Sequence, residues 1–241
     1  MESLILYESP YNKFRLGRNN DGGYIIADIP GTYEILISGG ISDDVTFEQH
    51  WIDKYKMPCY AYDGTINALP VSDPRITFVK KNLGSENTPM VTNLEDTISQ
   101  YSDIFMKIDI EGHEFRLFPS IFKKNLMTRV KQLVLEIHSP KSIALYPNYY
   151  KGLTDIVEKD MFDLIKTLNT THTLIHFHAN NGPELDVIEG ISVPTVFELT
   201  YVRNDFIPSK IRNTNPLPTV LDMKNVLHKP DYAFKGYPYT N

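Results

Sequence analysis

Alternation of apolar and polar positions divides the chain into strand-like and helix-like segments that follow one another in turn. Residues 34–37 form a short apolar run that stops at Ser38, Gly39 and Gly40. Residues 44–55 then carry Val45, Phe47, Trp51 and Ile52 at near-helical spacing, so a strand, a glycine turn and a helix are predicted. Further strands are expected at 57–62, 75–79, 105–110 and 132–137. Helices are expected at 94–101, at 114–122 despite Pro119, and at 153–168, where Ile156, Val157, Phe162, Leu164 and Ile165 share one side. Residues 173–178 and 196–202 read as two more strands. The stretch between them is rich in turn formers, so the pair is expected to run antiparallel. The whole pattern predicts an α/β fold: a mostly parallel open sheet of about seven strands, helices on both faces, and an antiparallel terminal pair.

Composition narrows the picture. With 241 residues, 41% hydrophobic and 22% charged, the chain has material for one substantial core. A single domain over 1–241 is expected, with a small cover at 1–30, the sheet and helices at 34–203, and a proline-rich extended tail at 204–241. A net charge of -6 argues against a broad phosphate-binding surface, so nucleic acid is not an expected partner. The lone Cys59 excludes an internal disulfide and any multi-cysteine metal site. No apolar run approaches a membrane span, and a cytoplasmic location is the expectation.

Chemistry concentrates at one place. The segment IFMKIDIEGHE, residues 104–114, is an apolar strand that leaves into Asp109, Glu111, His113 and Glu114. Carboxylates are unfavourable at the end of a buried strand unless something answers them, and the carboxyl edge of a parallel sheet is where α/β proteins bind ligands. Gly39 and Gly40 allow a close backbone approach before a helix N-terminus. Asp63, which ends the next strand about 20 residues on, has the type and position to accept ribose hydroxyls. The complete glycine pattern for a dinucleotide is missing, so S-adenosylmethionine, which has no phosphates, fits better than a nicotinamide cofactor.

Taken in order, RLGRNNDGGYII (15–26), LISGGISDDVTFEQ (36–49), CYAYDGT (59–65), FMKIDIEGHEF (105–115) and LVLEIH (133–138) resemble the FkbM-like methyltransferases, in the branch with a DGGY motif. The resemblance implies a Rossmann-like class I methyltransferase fold, bound S-adenosylmethionine, and methyl transfer to an oxygen, with hydroxyls of a sugar, nucleotide sugar or glycan as leading acceptors. It also implies that Gly39, Gly40, Asp44 and Phe47 line the methionine side of the cofactor and that Asp63, with Gly64 beside it, holds the ribose. Asn82, Leu83 and Gly84 would flank adenine. Ser38 departs from the pattern, because many class I enzymes carry an acid at that position.

An alcohol is a poor nucleophile at neutral pH, so O-methylation needs a base or a metal beside the hydroxyl. Asp109 or His138 is the expected base, with Glu111 orienting the acceptor. A divalent ion such as Mg on Asp109, Glu136 and His138 is the mechanistic alternative. Arg18, Asp21, His178 and Asn180 are the candidate acceptor contacts. Two other classes stay open at this level: an NAD(P)-dependent oxidoreductase on the same kind of sheet, and a methyltransferase fold without catalysis that serves as a binding module.

Overall fold

The computed structural model describes residues 1–241. The chain opens with a hairpin, β1 (Lys13–Leu16) and β2 (Tyr24–Ala27), then enters the main sheet at β3 (Ile35–Gly39) and turns into α1 (Thr46–Tyr55). β4 (Cys59–Tyr62) and β5 (Ile76–Val79) follow, then the short parallel pair β6 (Asn82–Leu83) and β7 (Val91–Thr92), and α2 (Glu95–Ile98). β8 (Ile104–Ile108), α3 (Glu114–Lys123) and β9 (Val130–His138) continue the alternation, with α4 (Pro140–Leu145) and α5 (Glu158–Thr171) after them. The last elements are β10 (His172–Ala179), the small hairpin β11 (Leu185–Ile188) and β12 (Ile191–Pro194), and β13 (Val196–Arg203).

Seven strands form the main sheet in the order β10-β13-β9-β8-β3-β4-β5. All neighbours from β9 to β5 pair in parallel, and β13 runs antiparallel to both β9 and β10. The reversal in spatial order on either side of β3 creates a crevice at the carboxyl ends of β3 and β8.

Period-two alternation sends successive side chains to opposite faces. Ile35, Ile37, Met106, Ile108, Leu133 and Leu135 pack against Phe118, Ile121, Leu164, Ile165 and Leu168 of α3 and α5. Leu36, Phe105 and Val134 turn the other way, onto Phe47, Trp51 and Ile52 of α1 and Tyr33. Farther along that second face the cover is the β1–β2 hairpin rather than a helix. There Gln132 exchanges two hydrogen bonds with the Ala27 backbone, at 2.7 and 3.0 Å, and the Thr200 hydroxyl donates to the Ile25 carbonyl at 2.5 Å. These polar side chains answer backbone groups of β2 that would otherwise be buried unpaired.

Three expected elements have different bounds. The helix expected at 153–168 is α5, which starts five residues later and extends to Thr171. Its start is fixed by Asp160, whose carboxylate accepts the Val157 N–H at 2.9 Å, while Leu153 and Ile156 are buried in the preceding turn. The helix expected at 94–101 is only the four residues of α2, because the Glu34 carboxylate takes the N–H groups of Ser102 and Asp103. Within 179–194, expected to be turns, lies the β11–β12 hairpin. Residues 204–241 run as an extended tail with only a short 3₁₀ turn at Asn204–Phe206, and Phe234 and Tyr239 anchor it on Phe177 at ring separations of 5.7 and 4.7 Å. No helix is long and apolar enough to cross a membrane.

Candidate functional site

The crevice at β3 and β8 is a cavity of about 790 Å³. That is within the roughly 300–1,000 Å³ range of ligand clefts. Of the residues expected to hold the cofactor, Gly40, Asp44, Phe47, Asp63, Asn82, Leu83 and Gly84 line it; Asp109, Glu111, Arg18 and Asp21 line it as well. Gly39, Gly64, Glu136, His138, His178 and Asn180 do not.

Two neighbouring glycines shape the floor for different reasons. Gly40 has φ +81°, and a Cβ built there overlaps the Asp109 carbonyl oxygen, so only glycine lets β3 leave the sheet against β8. Gly39 is confined by the Leu83 side chain, and Gly64 by Asn82. The close approach inferred from the sequence is real, but it is protein backbone and side chain that come close.

Asp63 holds the loop that follows Gly40. Its Oδ2 accepts the N–H groups of Ile41 and Ser42 at 3.0 and 2.9 Å, and its Oδ1 accepts the Thr65 N–H and hydroxyl at 2.7 and 2.6 Å. Burial raises its pKa, and these donors outweigh burial, so the carboxyl sits below the usual range and is ionised. Asp44 accepts from Thr46 at the start of α1 and pairs with Arg18 Nε at 2.7 Å; Arg18 also reaches Asp43 at 2.7 Å. The DGGY hairpin is thereby tied to the glycine loop.

Beneath that loop lie two charged residues the sequence reading passed over. Lys107 Nζ, buried in β8, donates to the Gly40 carbonyl at 2.7 Å and stands 4.0 Å from Glu48 of α1. Glu48 in turn accepts the Ser38 hydroxyl at 2.5 Å. A carboxylate from the helix thus reaches Ser38, and Glu48 lines the cavity. A lysine inside the apolar run FMKI and a glutamate on the apolar side of α1 were the available signals.

On the other wall, the buried Tyr24 hydroxyl donates to Asp109 Oδ2 at 2.8 Å. Glu111, at φ 55°, extends to His138 Nε2 at 3.0 Å, and His138 Nδ1 lies 3.8 Å from Glu114. Burial lowers the His138 pKa, but Glu111 and Glu114 overcome it and hold the imidazole well above its ordinary value. The two carboxylates thus favour the protonated ring, which is the poorer proton acceptor. Glu136 is driven well above the carboxylate range, first by burial and then by Asp109, and it accepts from Asn180 at 3.2 Å. Ligand atoms of Asp109, Glu111 and His138 lie within 4.8 Å of one another, so Glu111 stands where Glu136 was expected in the possible metal set.

His178 lies at the end of β10 and Asn180 just beyond it; the insertion of β13 between β9 and β10 puts β10 at the sheet edge, and neither residue lines the cavity. There His178 lies 3.4 Å from both Glu198 and Asp231, and Asn225 of the tail bridges Glu198 and Asp21 at 2.9 and 3.0 Å. Burial lowers the His178 pKa, and Asp231 and Glu198 outweigh it, raising the pKa from 6.5 to about 10. A raised folded-state value adds stability that is complete below about 6.5 and lost as pH climbs through about 10. The melting temperature of the wild type is therefore expected to decline across that window more steeply than that of His178→Gln, as read by calorimetry in matched buffers.

The model of the methyltransferase FkbM domain matches residues 7–164. The chain belongs to the FkbM methyltransferase family. It is an S-adenosylmethionine-dependent methyltransferase, which sets the nicotinamide reading aside. Among curated proteins none matches the sequence. Among solved structures, a SAM-dependent methyltransferase from Archaeoglobus fulgidus aligns at 10% identity over 70% of this methyltransferase and 86% of its own chain, with a TM-score of 0.41. The fibrillarin/Nop5p complex aligns at 10% identity over 70% and 72%, with a TM-score of 0.39. The plantazolicin methyltransferase BpumL, solved with SAH, aligns at 9% identity over 76% and 77%, with a TM-score of 0.35. Similarities this low say nothing about the acceptor of the FkbM-family protein.

Proposed function

We propose that this methyltransferase is an O-methyltransferase acting on a hydroxyl of a sugar, nucleotide sugar or glycan, with Asp109 as general base. The observation that carries the reading is Asp109 itself, a carboxylate lining the cavity with one oxygen oriented by Tyr24. S-adenosylmethionine supplies an electrophilic methyl group when bound. Asp63 would engage its ribose, Asn82, Leu83 and Gly84 its adenine, and Glu48 its amino group, while Gly40, Asp44 and Phe47 bound the methionine end. These residue types fit the group: carboxylates suit the ribose hydroxyls and the ammonium that it presents.

Asp109 would accept the proton of the acceptor hydroxyl, leaving that oxygen nucleophilic toward the methyl group of the bound donor. His138 holds Glu111 at 3.0 Å, and Glu111 would orient the acceptor. Arg18 and Asp21 frame the mouth from the hairpin. Acids outnumber bases around the cavity, which favours a neutral polyol over a nucleic-acid backbone. A divalent ion on Asp109, Glu111 and His138 is a second reading, motivated by their proximity; it would lower the hydroxyl pKa in place of a base. With Asp109 as the base, turnover is expected to survive a chelator. In the same reading residues 1–241 act as one unit, with 1–30 and 204–241 covering 34–203, in the cytoplasm.

The test is methyl transfer from labelled donor to a panel of free sugars, nucleotide sugars and glycans. Label in a sugar methyl ether is expected. Label found only in protein or nucleic acid overturns the acceptor class, and no turnover with any acceptor leaves the binding-module alternative.

A further inference from the structure

Tyr149 is 66% exposed and yet lines the cavity, a combination that packing does not require. The burial in this turn is done by its neighbour. Tyr150 is buried, bonded to the Ser142 hydroxyl at 3.2 Å, and its ring lies 5.7 Å from that of His138. Tyr149 is held all the same. Its ring stands edge-on to Tyr150, with centroids 4.9 Å apart and planes at 89°. Its N–H and that of Tyr150 both donate to the Tyr146 carbonyl, at 2.9 and 3.1 Å, which sets the turn. Burial and the adjacent Glu111 push its phenol up to about 12, so it is neutral at working pH.

An aromatic ring braced at its edge and backbone, with much of its surface in solvent, has little conformational entropy left to lose on binding. Tyr149, Glu111 and Asp109 line the same cavity, and Glu111 belongs to the Asp109 and His138 group. A ligand lying on Tyr149 therefore shares the cavity with Asp109. The chemistry that suits a neutral aromatic face next to carboxylates is a ring with an apolar C–H face and a rim of hydroxyl donors, which describes a pyranose.

We propose that Tyr149 is the platform on which the acceptor sugar ring stacks, delivering one hydroxyl to Asp109. This rests on the sugar O-methyltransferase reading and adds the subsite that binds the ring. Tyr149→Ala should therefore raise the acceptor KM by up to about tenfold. Tyr149→Phe should keep a KM near that of the wild type, since the ring rather than the hydroxyl does the binding. The affinity for S-adenosylhomocysteine by calorimetry and the melting temperature should be unchanged in both variants.

An acceptor KM unaltered in Tyr149→Ala, or raised equally in Tyr149→Phe, overturns the platform while the sugar reading stands. Wild-type protein that binds S-adenosylhomocysteine but methylates no sugar overturns both. A loss of S-adenosylhomocysteine affinity in Tyr149→Ala assigns the ring to the donor and likewise overturns the proposal.

Discussion

Asp109→Asn should lower kcat by roughly 10²- to 10⁴-fold, the range in which a positioned general base acts. The substitution isolates the proton acceptor. An asparagine carbonyl can still receive the Tyr24 hydroxyl, which meets Asp109 at 2.8 Å, and the Glu111–His138 pair is left in place. S-adenosylhomocysteine affinity by calorimetry and the melting temperature should therefore stay near wild type. His138→Gln should cost less, because His138 meets Glu111 rather than the acceptor. A kcat for Asp109→Asn within a few-fold of wild type removes Asp109 both as the base and as a metal ligand.

Gly40→Ala should be the most damaging single change to donor binding and to stability together. The new methyl would overlap the Asp109 carbonyl oxygen and would have to sit at φ +81°. Left-handed backbone costs an L-residue roughly 1–2 kcal/mol, and overpacking roughly 1–3 kcal/mol more. A loss of roughly 2–5 kcal/mol lowers the melting temperature by roughly 5–20 °C in a domain of this size. Since the Gly40 carbonyl is also the acceptor for Lys107, and the next two N–H groups are those Asp63 holds, the donor loop moves with it. Gly152 supplies the control: it has φ +78° but nothing within 4 Å of a built Cβ, so Gly152→Ala should cost only the backbone term. Equal destabilisation by the two would show that crowding at Gly40 is unimportant.

The amount of this site legible in the sequence varied from residue to residue. Asp63, Asp109 and the two glycines stood out because each ends a strand, and strand ends on one edge of a parallel sheet are neighbours by construction. His178 and Asn180 also end a strand and looked equivalent. Neither lines the cavity, and nothing local announces that β13 will pass between β9 and β10. Tyr24 and Lys107 were visible as residues but not as partners, since the Tyr24–Asp109 contact joins positions 85 apart and Lys107 reaches a carbonyl 67 residues away. The acid opposite Ser38 was missed for a related reason. It comes from the first turn of α1, and its direction depends on how that helix packs on the sheet.

Local chemistry thus determined the elements, their alternation, the glycine turn and the motifs that identify the family, because periodicity, turn preference and strand-end acids are properties of short stretches. Which strand lies beside which, which carboxylates face a histidine, and which tyrosine is buried or left open were decided only in the folded chain. Those properties depend on the packing of groups far apart in sequence, and His138 meets Glu111 and Glu114 only when the end of β9 comes up against the start of α3.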